Sequence, residues 1–321
     1  MKDTQKFIDD MKKQTIGCEI EMAEITRKAA AEVVAAYFGT PNTVKYIGGG
    51  YDTWACMDNK GRRWQIMRDI SIHASCGEKK AELVTPILTY DDIEDLQEIV
   101  RRLRKAGAIS NPQHGCGVHI HIGKGDHDAK TLRNLANIMA SHEALLCDAI
   151  YIDRGRLDEY CKPVDPNFLK EVNTKKPQTM AQLANVWYES QYATYRRDEH
   201  YNRSRYHMLN LHATFTKGTI EFRLFQFDNP HNGRKGGLHA GKIKAYIQLA
   251  LAISQAAKTV RSASPKALVT DNPKYAMRCW LLRLGFIGDE FATARDLLTR
   301  KLPGDAAYRH GRPQRAAADA A

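Results

Sequence analysis

The sequence predicts an α+β protein built on an antiparallel or mixed sheet, and three observations lead there. Helical and strand-like segments are interspersed along the chain, without the regular alternation of a β–α–β series. Two tight turns, Asp58-Asn59-Lys60-Gly61 and Lys217-Gly218, join neighbouring strand candidates as hairpins. The 321 residues are 43% hydrophobic and 26% charged, which allows a substantial core and excludes wholesale disorder or a fibrous repeat.

Taken in order, residues 16–22 alternate apolar and polar side chains and read as a strand. Helical periodicity follows over 24–38 and is stopped by Gly39 and Pro41. Gly48-Gly49-Gly50 precedes a strand and lacks the Gly-Lys-Ser/Thr ending of a phosphate loop, so it reads as a flexible loop. Residues 51–57 and 62–70 flank the first hairpin turn, and 81–84 is a further strand. A helix starts near Asp91, an N-cap candidate, and runs to Lys105 before Gly107. Residues 117–122 form a strand, and a helix opened by Asp126 or Asp128 continues to about 150. Residues 180–195 are helical, 206–214 and 219–227 are strands around the second turn, and 238–259 is the last long helix. Two shorter helices follow within 273–300. The expectation is one domain over 1–300, with a helical part at 256–300 and a flexible tail at 301–321, where large apolar residues are scarce.

There are 48 Lys and Arg against 37 Asp and Glu, a net charge of +11. That excess favours anionic ligands, from nucleotides to nucleic acid or acidic lipid, without choosing among them. No stretch approaches the roughly 20 apolar residues of a membrane span, and residues 1–10 lack the apolar core of a signal peptide. A soluble, cytoplasmic protein with no membrane partner is therefore expected. Seven scattered cysteines with no Cys-x-x-Cys spacing read as reduced thiols, not as a zinc knuckle or a disulfide framework.

Three strands share an unusual pattern. Ile16-Gly17-Cys18-Glu19-Ile20-Glu21-Met22 alternates apolar residues with two carboxylates, and Val118-His119-Ile120-His121-Ile122 alternates them with two imidazoles. In Ile220-Glu221-Phe222-Arg223-Leu224 the polar pair is a carboxylate and a guanidinium. Strand side chains repeat every two residues, so in a shared sheet all six polar groups would crowd one face. Such a face can be solvated and unremarkable, as in many antiparallel sheets. But Thr, Lys and Ser are almost missing from it, and crowded carboxylates repel unless cations neutralise them. Mg²⁺ or Mn²⁺, which favour carboxylate oxygen with an occasional imidazole, suit such a set. Asp69 and Glu82, at the end and start of strand candidates, each read alone as a turn or cap residue and join the acidic group by the company they keep.

At this point the chain resembles the glutamine synthetase and glutamate–cysteine ligase superfamily, in particular its amidoligase branch of carboxylate–amine ligases. The resemblance rests on Gly17-x-Glu19-x-Glu21, Asp69-x-Ser71-Ile72, Glu82-Leu83-Val84-Thr85-Pro86, Val118-His119-Ile120-His121, Arg205-Tyr206-x-x-x-Asn210-Leu211 and Thr219-Ile220-Glu221-Phe222-Arg223, in order over about 16–255. The family usually has Gly where this chain has Ile70, and often Ser where it has Thr85. The resemblance implies a glutamine synthetase-like fold, with a curved, mostly antiparallel sheet of about six strands and helices packed on one face. It implies an ATP-dependent ligase that joins a carboxylate and an amine through an acyl phosphate, with ATP and Mg²⁺ (or Mn²⁺) as cofactors. The implied metal ligands are Glu19, Glu21, Glu82, His119 and Glu221, and Arg223 is the arginine near the transferring phosphate.

Asp69 is a candidate to orient the incoming amine or serve as its base. His121 reads either as a substrate or supporting group of the site or as an ordinary hydrogen-bonded strand histidine. Arg203 and Arg205 are candidates for a substrate carboxylate or ATP phosphate, with a solvated basic loop as the plain alternative. Asn210, expected on the same strand face as His212, either contacts substrate or bridges strands. Two other functions stay open at this stage. One is a divalent-metal hydrolase or phosphotransferase using the same face. The other is a nucleic-acid-binding module, suggested by the charge and by Tyr192, Tyr195, Arg196, Arg197, Tyr201, Arg203 and Arg205, though no RNA- or DNA-binding signature accompanies them.

Overall fold

The computed structural model describes residues 2–233 and 236–310. Helix α1 (Lys2–Lys12) precedes β1 (Ile16–Ala23) and α2 (Arg27–Phe38). Strands β2 (Lys45–Gly48), β3 (Thr53–Met57), β4 (Arg63–Met67) and β5 (Lys80–Val84) follow, then α3 (Ile93–Lys105), β6 (Val118–Gly123) and α4 (Ala129–Ile150). Short helices α5 (Arg154–Glu159) and α6 (Pro166–Lys175) lead to α7 (Met180–Ser190), β7 (Leu209–Asn210), α8 (His212–Thr216) and β8 (Thr219–Phe225). The last helices are α9 (Ala240–Thr259), α10 (Pro273–Arg283) and α11 (Ala292–Thr299).

The eight strands form one sheet in the order β2-β3-β4-β5-β1-β6-β8-β7, antiparallel at every pairing. The count of about six implied by the resemblance is thus too low, and β2 is the edge strand that no strand candidate in the sequence covers. The strand expected over 206–214 shrinks to Leu209–Asn210, and a helix takes over at His212. The His212 ring is held on both sides, by the Tyr188 hydroxyl at 2.7 Å and the Glu199 carbonyl at 2.9 Å. The Thr216 hydroxyl closes the helical turn on the His212 carbonyl. Asn210 and His212 consequently do not share a strand face.

The helices α1, α5 and α6, absent from the sequence reading, are short, and end groups as much as periodicity define the last two. Asp153 caps α5, and the Asp165 side chain accepts from the Phe168 N–H ahead of Pro166 in α6. The start of α3 is set by Asp92, not Asp91. Its carboxylate and the Thr89 side chain make a reciprocal cap, with Asp92 also bound by Arg62 and Lys60.

One face of the sheet is apolar. Ile16, Cys18, Ile20 and Met22 of β1 are buried there, as are Val118, Ile120 and Ile122 of β6. Helix α2 packs on β3, β4 and β5, α9 packs on β6, and α3 lies against both helices. Each large apolar side chain buried in this layer contributes about 1.5–3 kcal/mol relative to exposure. With that face committed to the core, period two fixes the polar partners on the other.

The segment read as a flexible tail begins as packed chain. Leu302 is buried, and the Asn272 side-chain amide donates to the Tyr308 and Arg309 carbonyls at 2.8 and 3.1 Å. Residues 311–321 lie outside the described residues. Among the described residues no helix is long and apolar enough to cross a membrane. All seven cysteines are free thiols.

Candidate active site

Strand pairing carries the alternating pattern across the sheet. Glu19 stands opposite His119, Glu21 opposite Glu82, His121 opposite Glu221, and Asn210 opposite Glu221 on its other side. Gly17 stands opposite His121, and a Cβ there would lie 3.3 Å from the histidine Cβ. Glycine leaves room for the ring.

Glu19 bridges the two imidazoles. Its Oε2 lies 3.0 Å from His119 Nδ1 and its Oε1 lies 3.2 Å from His121 Nε2. His119 also lies 3.7 Å from Glu221 Oε1 and 3.9 Å from Glu21 Oε1. Glu221 is buried and accepts from Arg223 Nη1 at 2.5 Å and from Asn210 Nδ2 at 2.6 Å. The Arg223 Nε donates to the Tyr160 carbonyl at 3.3 Å. Glu21 Oε2 accepts from the Gly117 N–H. Asp69 Oδ1 accepts from the Ser71 N–H and hydroxyl, both at 2.7 Å.

The electrostatics follow from burial and crowding. Burial pushes the Glu19 carboxyl up, but His121 and His119 outweigh it and hold it well below the usual carboxylate range. Glu82 moves the other way: burial and the negative charges of Glu19, Glu21 and Asp69 hold it well above that range. Burial also opposes the charge on Glu221, yet Arg223 and the histidines bring it down to about 2. His121, although buried, is raised by Glu19 and Glu221. Its Nε2 has no hydrogen-bond partner.

Three sets of side chains each bring donor atoms within 4.8 Å of one another: Glu19, Glu82 and His119; Glu19, His121 and Glu221; Glu21, Asp69 and Glu82. Shared members link the sets into a row. Carboxylate oxygens with two imidazoles, the buried His121 Nε2 facing Glu19 Oε1 at 3.2 Å without a hydrogen bond, fit hard divalent cations. His121 is a member of one of these donor sets, and Asp69 extends the row at the Glu21 end.

The row lies at a cavity of about 900 Å³, whose lining includes Glu19, Glu21, Asp69, Glu82, His119 and Arg223. Its walls also carry Arg68, Arg156, Tyr160, Arg205 and Lys217, and Tyr51 and Tyr201 meet there by a 2.9 Å hydroxyl–hydroxyl bond. Gly50 contributes to the wall, so the triple glycine is a cavity loop. Arg205 reaches the cavity and packs over Tyr201 and Tyr206. Arg203 does not: it is exposed and turns to the Gln191 and Tyr192 carbonyls, tying its own loop together. Asn210 is buried behind Glu221, bridging β7 to β8. Ile70 is 81% exposed and has no positive φ, so the position does not require glycine. The Thr85 hydroxyl accepts from the Cys18 N–H at 2.9 Å, a bond that serine could also make. Arg156 and Tyr160 were not singled out from sequence. The one local signal was Asp153 ahead of Gly155-Arg156, a helix cap that places the arginine.

The chain matches the family described as "Putative amidoligase enzyme" over residues 12–254, and it belongs to that family. Comparison with curated proteins finds no match. Among solved structures it is similar to a bifunctional glutathione synthetase from Pasteurella multocida, with TM-score 0.39 and 14% identity over 93% of this chain and 48% of that one. The chain therefore spans about half the length of that protein. At this distance the likeness says nothing of substrate or reaction.

Proposed function

We propose that the protein is an ATP-dependent ligase that joins a carboxylate to an amine. A substrate carboxylate oxygen attacks the γ-phosphorus of ATP and ADP leaves. The amine nitrogen then attacks the carbonyl carbon of the acyl phosphate, and phosphate departs as the amide forms. One observation carries this reading: carboxylates and the His119 imidazole from adjacent strands converge at one cavity beside a buried arginine, with His121 and Glu221 grouped on Glu19 behind them. Glu19, Glu21, Glu82, His119, His121 and Glu221 are the residues to hold two or three Mg²⁺ or Mn²⁺ ions. When bound, these ions neutralise the carboxylates and draw charge from the phosphate oxygens.

The protein's own groups supply the rest. Arg223 is fixed by Glu221 and the Tyr160 carbonyl, and its remaining N–H groups serve the equatorial oxygens of the transferring phosphoryl group. Ser71 holds Asp69 through Oδ1, leaving Oδ2 to accept from an incoming ammonium and take its proton. The mixture of acidic row and basic walls suits a polyanion carried by metal ions.

The test is ADP release over a matrix of carboxylates and amines with Mg²⁺. ADP should appear only when both substrates are present, in step with amide. Glu19→Ala and Glu221→Ala should abolish it while circular dichroism stays unchanged. Phosphoester hydrolysis that needs metal but no ATP would instead establish a hydrolase.

A further inference from the structure

Arg156 has no part in the reaction described above, yet the fold is built around it. It is 4% exposed and lines the cavity. Its Nη1 donates to the Phe225 carbonyl at 3.0 Å and its Nη2 to the Arg223 carbonyl at 3.2 Å. Among the described residues no carboxylate lies within ion-pair distance of it, whereas Arg223 has Glu221. A guanidinium cannot shed its proton, so a buried one without a counter-ion is costly unless a ligand brings the negative charge. Two protein acceptors leave most of its five N–H groups for such a ligand.

The backbone makes way for it. A Cβ at Gly117 would sit 2.2 Å from Arg156 Nη2, so no other residue fits there without displacing the guanidinium. Asp153 caps α5 by accepting the N–H groups of Gly155 and Arg156, and its own N–H is taken by Gln226 Oε1 at 3.0 Å.

The position of Arg156 within the cavity is informative. Gly117, against which it packs, donates its N–H to Glu21, and Glu21 shares a donor set with Asp69 and Glu82. Arg156 therefore belongs to the Glu21–Asp69 end. Arg68, Arg205 and Lys217 also line the cavity but are not buried, and the buried Arg223 is paired with Glu221. The cavity thus offers carboxylate acceptors for an ammonium at Asp69 and, at Arg156, a buried cation without an ion-pair partner among the described residues.

We infer, resting on the ligase reading, that the amine substrate is an amino acid. Its ammonium faces Asp69 and its carboxylate lies on Arg156, which pairs with it in the fork geometry suited to carboxylate. Arg156 is a specificity-determining residue that tells amino acids from simple amines.

Calorimetric titration of the full chain with Mg²⁺ tests this, using a panel of L-amino acids and the amines left when each is decarboxylated. At least one amino acid should bind tenfold or more tighter than its amine. Arg156→Gln should erase that preference, and Arg156→Lys, which keeps the charge, should retain part of it. Equal binding of acid and amine, no binding across the panel, or a preference that survives Arg156→Gln would each overturn the proposal. If Arg156→Gln fails to fold, the wild-type comparison decides alone. Selective binding without ADP release under any carboxylate would remove the ligase reading and leave the amino-acid site standing. Amide formed equally well from simple amines would do the reverse.

Discussion

Glu221 shows how much of the site is set by a neighbour that never reaches the cavity. Asn210 donates to one of its oxygens while Arg223 takes the other, so its carboxylate orientation is fixed from behind. Removing a group that orients a metal-binding carboxylate typically costs 10–100-fold in metal affinity or activity. Asn210→Ala should therefore lower ADP release by about 10–100-fold. The cost to folding is about 1–3 kcal/mol for the buried acceptor left unpaired. An ADP assay alongside urea unfolding measures both, and wild-type activity in the variant would show that Asn210 only joins strands. Period two made Glu19, Glu21, His119, His121, Glu221 and Arg223 legible in the sequence, because apolar neighbours on one face dictate what lies on the other. Arg156 was not legible. It enters from a six-residue helix, and its meaning depends on a glycine 39 positions earlier. Arg203 illustrates the opposite failure: a basic residue in the right motif whose loop spends it on carbonyls.

The β3–β4 hairpin and the start of α3 are locked together by charge. Asp58 accepts from Arg62, Trp64 and the hairpin backbone, and Asp92 accepts from Arg62, Lys60 and Thr89. Burial pushes the Asp92 carboxyl up, but these donors outweigh it and hold it far below the usual range. A carboxyl depressed in the fold stabilises fully above its unfolded pKa, and that stability is lost as pH falls toward the folded value. Asp92→Asn should thus cost about 1.5–3 kcal/mol at neutral pH, the range for hydrogen bonds to charged groups. The gap to wild type should close in acid, where the native Asp92 is itself protonated. Urea unfolding across the acid range checks this, and a gap independent of pH would refute it. The hairpin was legible because its turn residues act locally. The strand expected over 206–214 misled because its side chains answer to distant groups: Tyr188 and the Glu199 carbonyl fix His212 in a helical turn. Propensity yields to such tertiary contacts.

Over the whole molecule the chain carries a net +11, yet at the cavity it gathers a row of carboxylates packed beside one another. The row is buried or half-buried, so bulk salt screens its repulsion less than that of surface charges, whereas a bound divalent ion cancels it directly. A ligand that binds only the folded state stabilises it by RT ln(1 + [L]/Kd), about 2.7 kcal/mol at a hundredfold excess over Kd. Saturating Mg²⁺ should accordingly raise Tm by several degrees. KCl at matched ionic strength should not. Glu82→Gln separates this from a general salt effect. Glu82 is shared by two of the three donor sets, and its neighbours already favour the uncharged form, for which glutamine is a near-isostere. In a chelator the variant should melt within about 0.5 kcal/mol of wild type, as for a substitution that breaks no buried interaction. With Mg²⁺ present it should gain far less. Differential scanning fluorimetry with Mg²⁺, Mn²⁺ and KCl arms makes the comparison. A variant that keeps the full Mg²⁺-dependent rise would place the ions elsewhere, and the acidic row would then be an electrostatic burden that the arginines and Lys217 of the cavity alone must offset.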